Sequence, residues 1–200
     1  KINERWQATL GLRGEHSKTE YLSIPTTGST TLPTALETDD ELFTWKAGLV
    51  YKPVSAGTLY ASYGNSIRPP GTNFSISTAA TNADNPGLKP QEAHNYELGS
   101  KWEFCGGRLL TTAALFRSVN TNVALTDPVT GLVVQTTEQQ VQGLELGATG
   151  QITPEWHVFG GFSYLDSEYS APSNPTANSN GDEIKWTPKY SGKFWTTYRL

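Results

Sequence analysis

Apolar and polar side chains alternate with a period of two along most of the chain. The segment WQATLGLR, which begins at Trp6, and the segment FTWKAGLVY, which begins at Phe43, place an apolar residue at nearly every second position. Because strand side chains point alternately to two faces, each such segment predicts a β-strand with one apolar face. Similar patterns predict about eight strands, the others lying at 58–65, 96–104, 108–122, 134–150, 156–168 and 190–200.

The segment 96–104 shows the question that this pattern raises. One face of the strand carries Tyr96, Leu98, Trp102 and Phe104, and the other carries Glu97, Lys101 and Glu103. A soluble sheet buries such an apolar face in a core, whereas a membrane barrel turns it toward lipid. Alternation alone does not choose between the two. In LLTTAALF at 109–116, both faces are apolar and the pattern does not assign them.

The connections between the predicted strands alternate between long and short. The long loops are predicted near 16–40, 65–90, 123–135 and 170–188, and the short links are PVSAG, CGGR and ITPE. In an up-and-down sheet, this alternation places every long loop at one end and every tight turn at the other. Outer-membrane barrels have this layout, whereas a Greek-key sandwich has no reason to keep it. The sequence therefore predicts an all-β, antiparallel, up-and-down transmembrane β-barrel.

Aromatic residues fall into two groups along the predicted strands. The group near the short turns comprises Trp6, Tyr51, Trp102 and Trp156, and the group toward the long loops comprises Tyr63, Tyr164 and Tyr169. Membrane barrels carry such aromatic girdles at both water–lipid boundaries, so the distribution agrees with a membrane-spanning wall.

Composition narrows the class of protein further. Charged residues make up 17% of the chain, below the roughly 25% of soluble domains. The net charge of −4 argues against a nucleic-acid-binding protein, and the single cysteine, Cys105, excludes an intrachain disulfide and a cysteine-based zinc site. The chain has no methionine, so we expect a processed or internal part of a longer polypeptide.

The sequence contains no recognisable catalytic or metal-binding motif. His16, His94 and His157 lie far apart, without the short spacing of metal-binding pairs. The acidic run 39–41 is interpreted as a solvated face or a weakly cation-attracting rim. We therefore expect no catalytic residue, no resident metal and no cofactor, and the protein is predicted not to be an enzyme.

Several segments, taken in order, resemble a known family. They are AGLVYKP, GTLYASYGNSIRPPG, NPGLKPQEAHNYELGSKWEF, GRLLTTAALFR, EQQVQGLELGATGQITPEW and GGFSYLDSEY. Together they resemble the C-terminal half of the barrel of TonB-dependent outer-membrane receptors, most closely the ferric-siderophore group. The resemblance covers residues 6–200, and its most specific parts are LKPQE…YELGSKW and VQGLELGATG. The motif Pro90-Gln91-Glu92 is one residue longer than the Pro-Glu pair of the family.

The resemblance implies a fragment of a larger receptor. The plug domain and the TonB-contacting segment of the family are not in this sequence, so residues 1–200 are expected to be a partial barrel domain, a slice of a wall of about 22 strands. Two alternatives stay open: a self-contained eight-stranded outer-membrane barrel that acts as an anchor or adhesin, and a soluble β-sandwich binding module.

The resemblance also implies a function, partners and candidate contacts. We expect energy-coupled uptake of ferric siderophores without chemistry on the substrate, with iron present only as part of the cargo. The expected partners are the siderophore, outer-membrane lipid and the TonB inner-membrane complex acting through the plug, in a Gram-negative outer membrane. Anionic aromatic chelates need cations beside aromatic rings, and the loop candidates for ligand contact are Lys18, Tyr21, Arg68, Phe74, Lys185 and Trp186.

Overall fold

The computed structural model describes residues 2–24, 34–69, 88–126, 133–169 and 181–200. The regular structure in these ranges is entirely β, and no helix in them is long and apolar enough to cross a membrane. The strands are β1 (Trp6–Ser23), β2 (Thr34–Val54), β3 (Gly57–Arg68), β4 (Gln91–Phe104), β5 (Leu109–Thr126), β6 (Val133–Gln151), β7 (Trp156–Tyr169) and β8 (Tyr190–Tyr198).

All eight strands form one sheet, in which each strand pairs with its sequence neighbours in the order β1 to β8. Every pairing is antiparallel. The prediction of an all-β, up-and-down antiparallel architecture is therefore confirmed. The register also resolves the segment 109–116: Leu115 faces the same side as Leu98, and Phe116 the same side as Glu97.

Tight turns join the strands at one end of the sheet, which we call the turn end. The turn after β4 contains three consecutive residues with positive φ: Cys105 at 54°, Gly106 at 68° and Gly107 at 84°. Glycine adopts this left-handed conformation without the steric penalty of a Cβ, which explains why two of the three positions are glycine. Arg108 Nε donates to the Cys105 carbonyl at 2.9 Å and closes the turn. The opposite end, toward the long connections, is the loop end.

Two strands extend well into a region that the sequence assigned to a long loop. The loop near 16–40 is wrong over most of its length, because β1 continues to Ser23 and β2 begins at Thr34. The ladder runs without a break from Trp6↔Tyr51 to Ser23↔Thr34. Both faces of this extension carry polar residues, so no hydrophobic alternation marks it as a strand. The predicted loops 65–90 and 123–135 also begin inside strands, since β3 reaches Arg68 and β5 reaches Thr126, whereas 170–188 falls between the end of β7 and the start of β8.

The sheet is a single layer, open at both lateral edges. Within the described ranges, β1 and β8 have no ladder to each other, and no second sheet packs on either face. Few apolar residues are buried, whereas many large ones, such as Leu10, Leu98 and Phe194, are exposed. A β-sandwich and a closed eight-stranded barrel are therefore both wrong for these residues.

Candidate functional site

The two faces of the sheet differ in chemistry across all eight strands. One row of directly paired residues crosses the whole sheet on one face, and it consists of Ala8, Leu49, Ala61, Leu98, Leu115, Leu144, Tyr164 and Tyr190. We call this side the apolar face. The next row, on the opposite side, includes Gln7, Tyr60, Gly99, Glu145 and Ser163, and we call that side the polar face.

Aromatic side chains border the apolar face at both ends. At the turn end, Trp6 stacks on Tyr51 with ring centroids 4.4 Å apart. Toward the loop end, Tyr63 lies between Trp45 and Tyr96, at centroid distances of 4.4 and 5.0 Å. In β4 the band between these borders covers residues 96–104, about 27 Å at roughly 3.3 Å per residue, which is close to the length of a membrane-crossing strand.

Of the three aromatic residues assigned to the loop-end group, Tyr169 lies on the polar face and not on the apolar face. Tyr164 is on the apolar face and contacts Tyr190 with ring centroids 5.3 Å apart. Tyr169 pairs with Gln139 in the ladder, an odd number of residues from Tyr164, and therefore belongs to the polar face. Tyr169 ends β7 at the loop end, as predicted, but its side chain is only 8% exposed and lies on the polar face, so it is not part of a girdle on the apolar face.

Beyond the loop-end aromatic border, the same face becomes charged. The side chains that continue the apolar face toward the loop end are His16, Lys18 and Glu20 in β1, and Glu37, Asp39 and Glu41 in β2. Lys18 Nζ lies 2.9 Å from Glu20 and 3.0 Å from Glu37, and His16 Nδ1 lies 3.1 Å from Glu41. This change from apolar to ionic at one level marks a boundary between a non-aqueous and an aqueous surrounding.

The ion pairs in this extension shift the pKa values of their members. Hydrogen bonds to Glu20 and Glu37 raise the pKa of Lys18 well above its ordinary value. The hydrogen bond from Lys18 lowers the pKa of Glu20. The acidic run 39–41 is divided by the ladder, with Asp39 and Glu41 beside His16 and Asp40 on the opposite face. In the described part of the chain, no group of three His, Cys, Asp or Glu could hold a metal ion.

The polar face contains a concave region between β2 and β6. Its cavity has a volume of about 560 Å³ and is lined by side chains that include Lys46, Ser62, Asn95, Glu97, Phe116 and Glu145. The charged and hydroxyl groups of this lining are suited to water or a polar partner, and not to lipid. The assignment of Lys46, Glu97 and Glu145 to a common polar face agrees with the alternation in the sequence.

A tyrosine and a glutamate on neighbouring strands are hydrogen-bonded on the polar face. Tyr60 lies across Gly99 of the neighbouring strand, and its hydroxyl donates to Glu97. Lys101 Nζ lies 5.6 Å from the centre of the Tyr60 ring. The absence of a side chain at Gly99 provides the space that the ring occupies, so the three polar groups are held in place by backbone geometry.

A network of hydrogen bonds braces the loop end of β3 and β4. Tyr63 Oη and His94 Nδ1 are hydrogen-bonded at 2.8 Å, and Asn65 Nδ2 donates to Glu92 Oε1 at 2.8 Å. Asn65 Oδ1 also accepts from the Trp45 amide at 2.7 Å, where β3 leaves the ladder with β2. These bonds hold the strand ends from which the 69–90 connection departs.

The braced region extends to β5 and β6 through an amide side chain. Gln135 Oε1 accepts from the Lys89 amide, and its Nε2 donates to the Lys89 carbonyl, both at 2.7 Å. Asn122, which has a positive φ of 55°, donates to the Pro90 carbonyl at 2.9 Å. The approach to β4 is thus anchored to two further strands.

The structure describes four of the six candidate ligand contacts. Arg68 ends β3 and is exposed, and Lys185 and Trp186 lie between β7 and β8, where Trp186 is 99% exposed with φ of 66°. Lys18 lies within β1 on the continuation of the apolar face and is paired with two glutamates, so it is not a loop residue. None of the contacts in the described ranges joins these four residues to one another.

The side chains of the other two candidates, Tyr21 and Phe74, lie outside the described residues. Tyr21 is part of β1, and its side chain lies outside the described residues. Phe74 falls in 70–87, also outside the described residues. Their roles as ligand contacts stay predictions.

One feature of the polar face was not anticipated from the sequence. Phe159 and Trp195 are direct partners in the β7–β8 ladder, on the same face as Glu145 and Ser163, and both rings are exposed. In the segment SGKFWTTY, Phe194 and Trp195 are neighbours, so an aromatic residue falls on each face and alternation does not sort them. The adjacent aromatic pair was the only available sequence signal.

Comparison with known proteins identifies the same architecture elsewhere. Residues 1–200 match the family described as "TonB dependent receptor-like, beta-barrel". The "Probable TonB-dependent receptor BfrD" of Bordetella pertussis is 34% identical over the whole chain, which covers 27% of that protein. The "Catecholate siderophore receptor Fiu" of Escherichia coli is 30% identical over the whole chain, which covers 28% of it.

Solved structures give the same result. The siderophore receptor PiuA from Acinetobacter baumannii superposes with a TM-score of 0.82 and 31% identity, over 99% of this chain and 29% of that one. The closed form of the ferric-catecholate import receptor Fiu superposes with a TM-score of 0.79 and 28% identity, over 99% of this chain and 30% of that one. The chain therefore spans less than a third of the relatives that it matches.

Proposed function

The chain belongs to the TonB-dependent receptor β-barrel family, and we propose that it forms part of the wall of an outer-membrane receptor that takes up ferric siderophores. The relatives compared above are named as receptors, two of them as siderophore receptors. The apolar face is in contact with lipid, and the polar face lines the interior of the barrel. The loop end lies outside the cell, and the turn end lies in the periplasm of a Gram-negative bacterium.

The observation that carries this proposal is the exposed apolar face with its two aromatic borders. Leu98, inside the band, is 59% exposed, and the row of paired residues that contains it is apolar or aromatic in every strand. Soluble proteins rarely expose a continuous apolar patch of this kind, whereas membrane barrels require one. The ionic residues beyond the loop-end border mark the level at which the strands emerge into water.

The substrate and the energy source belong to the proposal as well. The ferric siderophore binds at the loop end, where Arg68, Lys185 and Trp186 are exposed. The intact receptor contains a plug that closes the barrel, and the TonB complex of the inner membrane acts on that plug. The wall positions the substrate and carries out no reaction on it.

Iron-restricted growth of the source organism tests this function. We expect deletion of the full-length receptor gene to abolish growth on at least one ferric siderophore, and we expect the intact protein to be extracted from the outer membrane only with detergent. Undiminished growth of the deletion strain on a full panel of ferric siderophores, or a freely soluble receptor, would contradict the proposal.

A further inference from the structure

Arg117 is a basic residue in the loop-end aromatic border of the apolar face. It pairs directly with Tyr96 in the β4–β5 ladder, and Tyr96 pairs with Tyr63 in the β3–β4 ladder. The row that carries the two tyrosines therefore continues into an arginine, whose side chain is exposed. Toward the turn end, the next pair on this face is Leu98 and Leu115, which are 59% and 56% exposed.

The surroundings of Arg117 do not depend on the lateral edges of the sheet. β5 pairs with β4 on one side and with β6 on the other, where Arg117 is the direct partner of Tyr96 and of Gln142. Further strands lie beyond both neighbours. Under the proposed function the plug lies on the other side of the sheet, so it does not cover this side chain.

The positive charge of Arg117 forms no ion pair with a carboxylate of the described residues. Its Nη2 and Nε instead donate to one neutral acceptor, Gln140 Oε1, at 2.6 and 3.1 Å. Asp166, a carboxylate of the same face, accepts from Gln142. Lys18, another basic residue of this face, by contrast lies 2.9 and 3.0 Å from two glutamates. The guanidinium group of Arg117 thus keeps its charge and has further N–H donors for an outside acceptor.

The level of Arg117 indicates which anion is within reach. Tyrosine and tryptophan rings at a membrane boundary lie at the depth of the lipid headgroups, and Tyr63 and Tyr96 share their row with Arg117. Lipid phosphates lie at the same depth. A guanidinium group matches the geometry of phosphate oxygens and binds them through parallel N–H donors.

We propose that Arg117 binds the phosphate group of a lipid in the outer leaflet of the membrane. The guanidinium group donates to the phosphate oxygens, while the acyl chains lie along the apolar face beside Leu98 and Leu115. This inference rests on the proposed function, which places the loop end outside the cell. The outer-leaflet lipid of a Gram-negative bacterium carries its phosphates on lipid A, the membrane anchor of lipopolysaccharide. The contact then holds β5 at a fixed depth in the membrane.

The test measures the affinity of the full-length receptor, purified in detergent, for lipid A by native mass spectrometry. Arg117→Gln removes the charge and keeps a side chain that can form hydrogen bonds. Lys18→Gln is the matched control, because it removes the same charge from a residue of this face that is already paired with two glutamates. We expect the Arg117 variant to bind the first lipid A molecule about fivefold more weakly, and the control to bind it as tightly as the wild type.

A second probe identifies the phosphate as the group that is bound. With lipid A from which the phosphates have been removed, we expect the wild type and Arg117→Gln to show equal affinity. A difference between the two receptors that persists with this probe would assign Arg117 a role in packing, and it would overturn the inference.

A further variant keeps Arg117 and decides the question if Arg117→Gln fails to fold. Gln142 is the direct partner of Arg117 in β6, and Gln142→Glu provides the missing carboxylate with little change in shape. The new ion pair should occupy the guanidinium group and weaken the binding of intact lipid A. Undiminished affinity in this variant, or in a folded Arg117→Gln receptor, would overturn the inference.

Failure of this inference differs from failure of the proposed function. If the deletion strain loses growth on a ferric siderophore while all variants bind lipid A as the wild type does, only the lipid contact is overturned. A receptor that is freely soluble without detergent would contradict the proposed function itself, and the lipid contact with it.

Discussion

Glycine residues on the polar face determine where large side chains of neighbouring strands can lie. A Cβ added at Gly99 would overlap the Tyr60 ring, whereas at Gly48 the nearest atom would be 3.9 Å away. Glycine in a strand otherwise weakens it, because more backbone entropy is lost on folding. The benefit at Gly99 is the hydrogen bond from Tyr60 to Glu97, which exists only while the ring lies across the glycine.

Substitution of these two glycines should therefore have opposite effects. We expect Gly99→Ala to lower the free energy of unfolding by about 1–3 kcal/mol, since the ring must move. We expect Gly48→Ala to raise it by about 0.5–1 kcal/mol, because alanine restricts the unfolded chain. Urea unfolding of the full-length receptor in lipid vesicles measures both values. A similar decrease in the free energy of unfolding for the two variants would show that the space above Gly99 does not determine the effect of the substitution.

The stability of the charged part of the β1–β2 ladder should decrease at acidic pH. The lowered pKa of Glu20 means that its contribution to stability is present at neutral pH and is lost as the pH falls through that lowered value. We expect the amides of residues 17–21 to lose protection from hydrogen exchange in this acidic range, after correction for intrinsic rates. Lys18→Met should remove the part of the response that is due to Glu20, while the pairs of His16 with Asp39 and Glu41 remain.

Among the secondary-structure elements, β1 and β2 show why the sequence predicted strand positions better than strand lengths. Inside the apolar band, one face carries apolar side chains and the other carries polar groups, so residues alternate and the prediction succeeds. In the extension of β1 and β2, both faces are polar, as in HSKTE at 16–20 and TDDE at 38–41. Cross-strand ion pairs and backbone hydrogen bonds hold these strands together, and neither leaves a hydrophobic pattern.

The end of the β2–β3 ladder depends on one side chain. Asn65 follows the last paired residue, Gly64, and its amide group replaces the lost strand partner by accepting from the Trp45 amide. We expect Asn65→Leu to lower the free energy of unfolding by about 1–2 kcal/mol, because a donor loses its partner, and to speed hydrogen exchange at Trp45. Hydrogen exchange at Gln7, which lies near the turn end of the β1–β2 ladder, is the internal control and should not change. Slow exchange at Trp45 in the variant would assign its protection to another group.

At the scale of the whole molecule, the candidate site was less predictable than the fold. The alternation of long and short connections was sufficient to infer the up-and-down topology and the antiparallel direction of the strands. The loop candidates rested on residue type alone, and the ladder shows that Lys18 is a paired strand residue. Phe159 and Trp195 could not be assigned to the polar face, because the face of a strand with adjacent aromatic residues is fixed only by its register with the neighbouring strands.

The division into an apolar face and a polar face gives the most direct prediction for the complete barrel. Leu98→Arg places a cation inside the apolar band, where under the proposed function it should cost up to about 2–4 kcal/mol and reduce assembly in the outer membrane. Ser62→Arg is the matched control, because Ser62 is an exposed residue on the polar face and pairs directly with Glu97, which can accept the new charge. We expect the level of folded receptor, measured as the heat-modifiable band in gel electrophoresis, to fall for Leu98→Arg and to stay close to the wild type for Ser62→Arg. The reverse order would mean that the polar face contacts lipid, and it would contradict the assignment of the two faces.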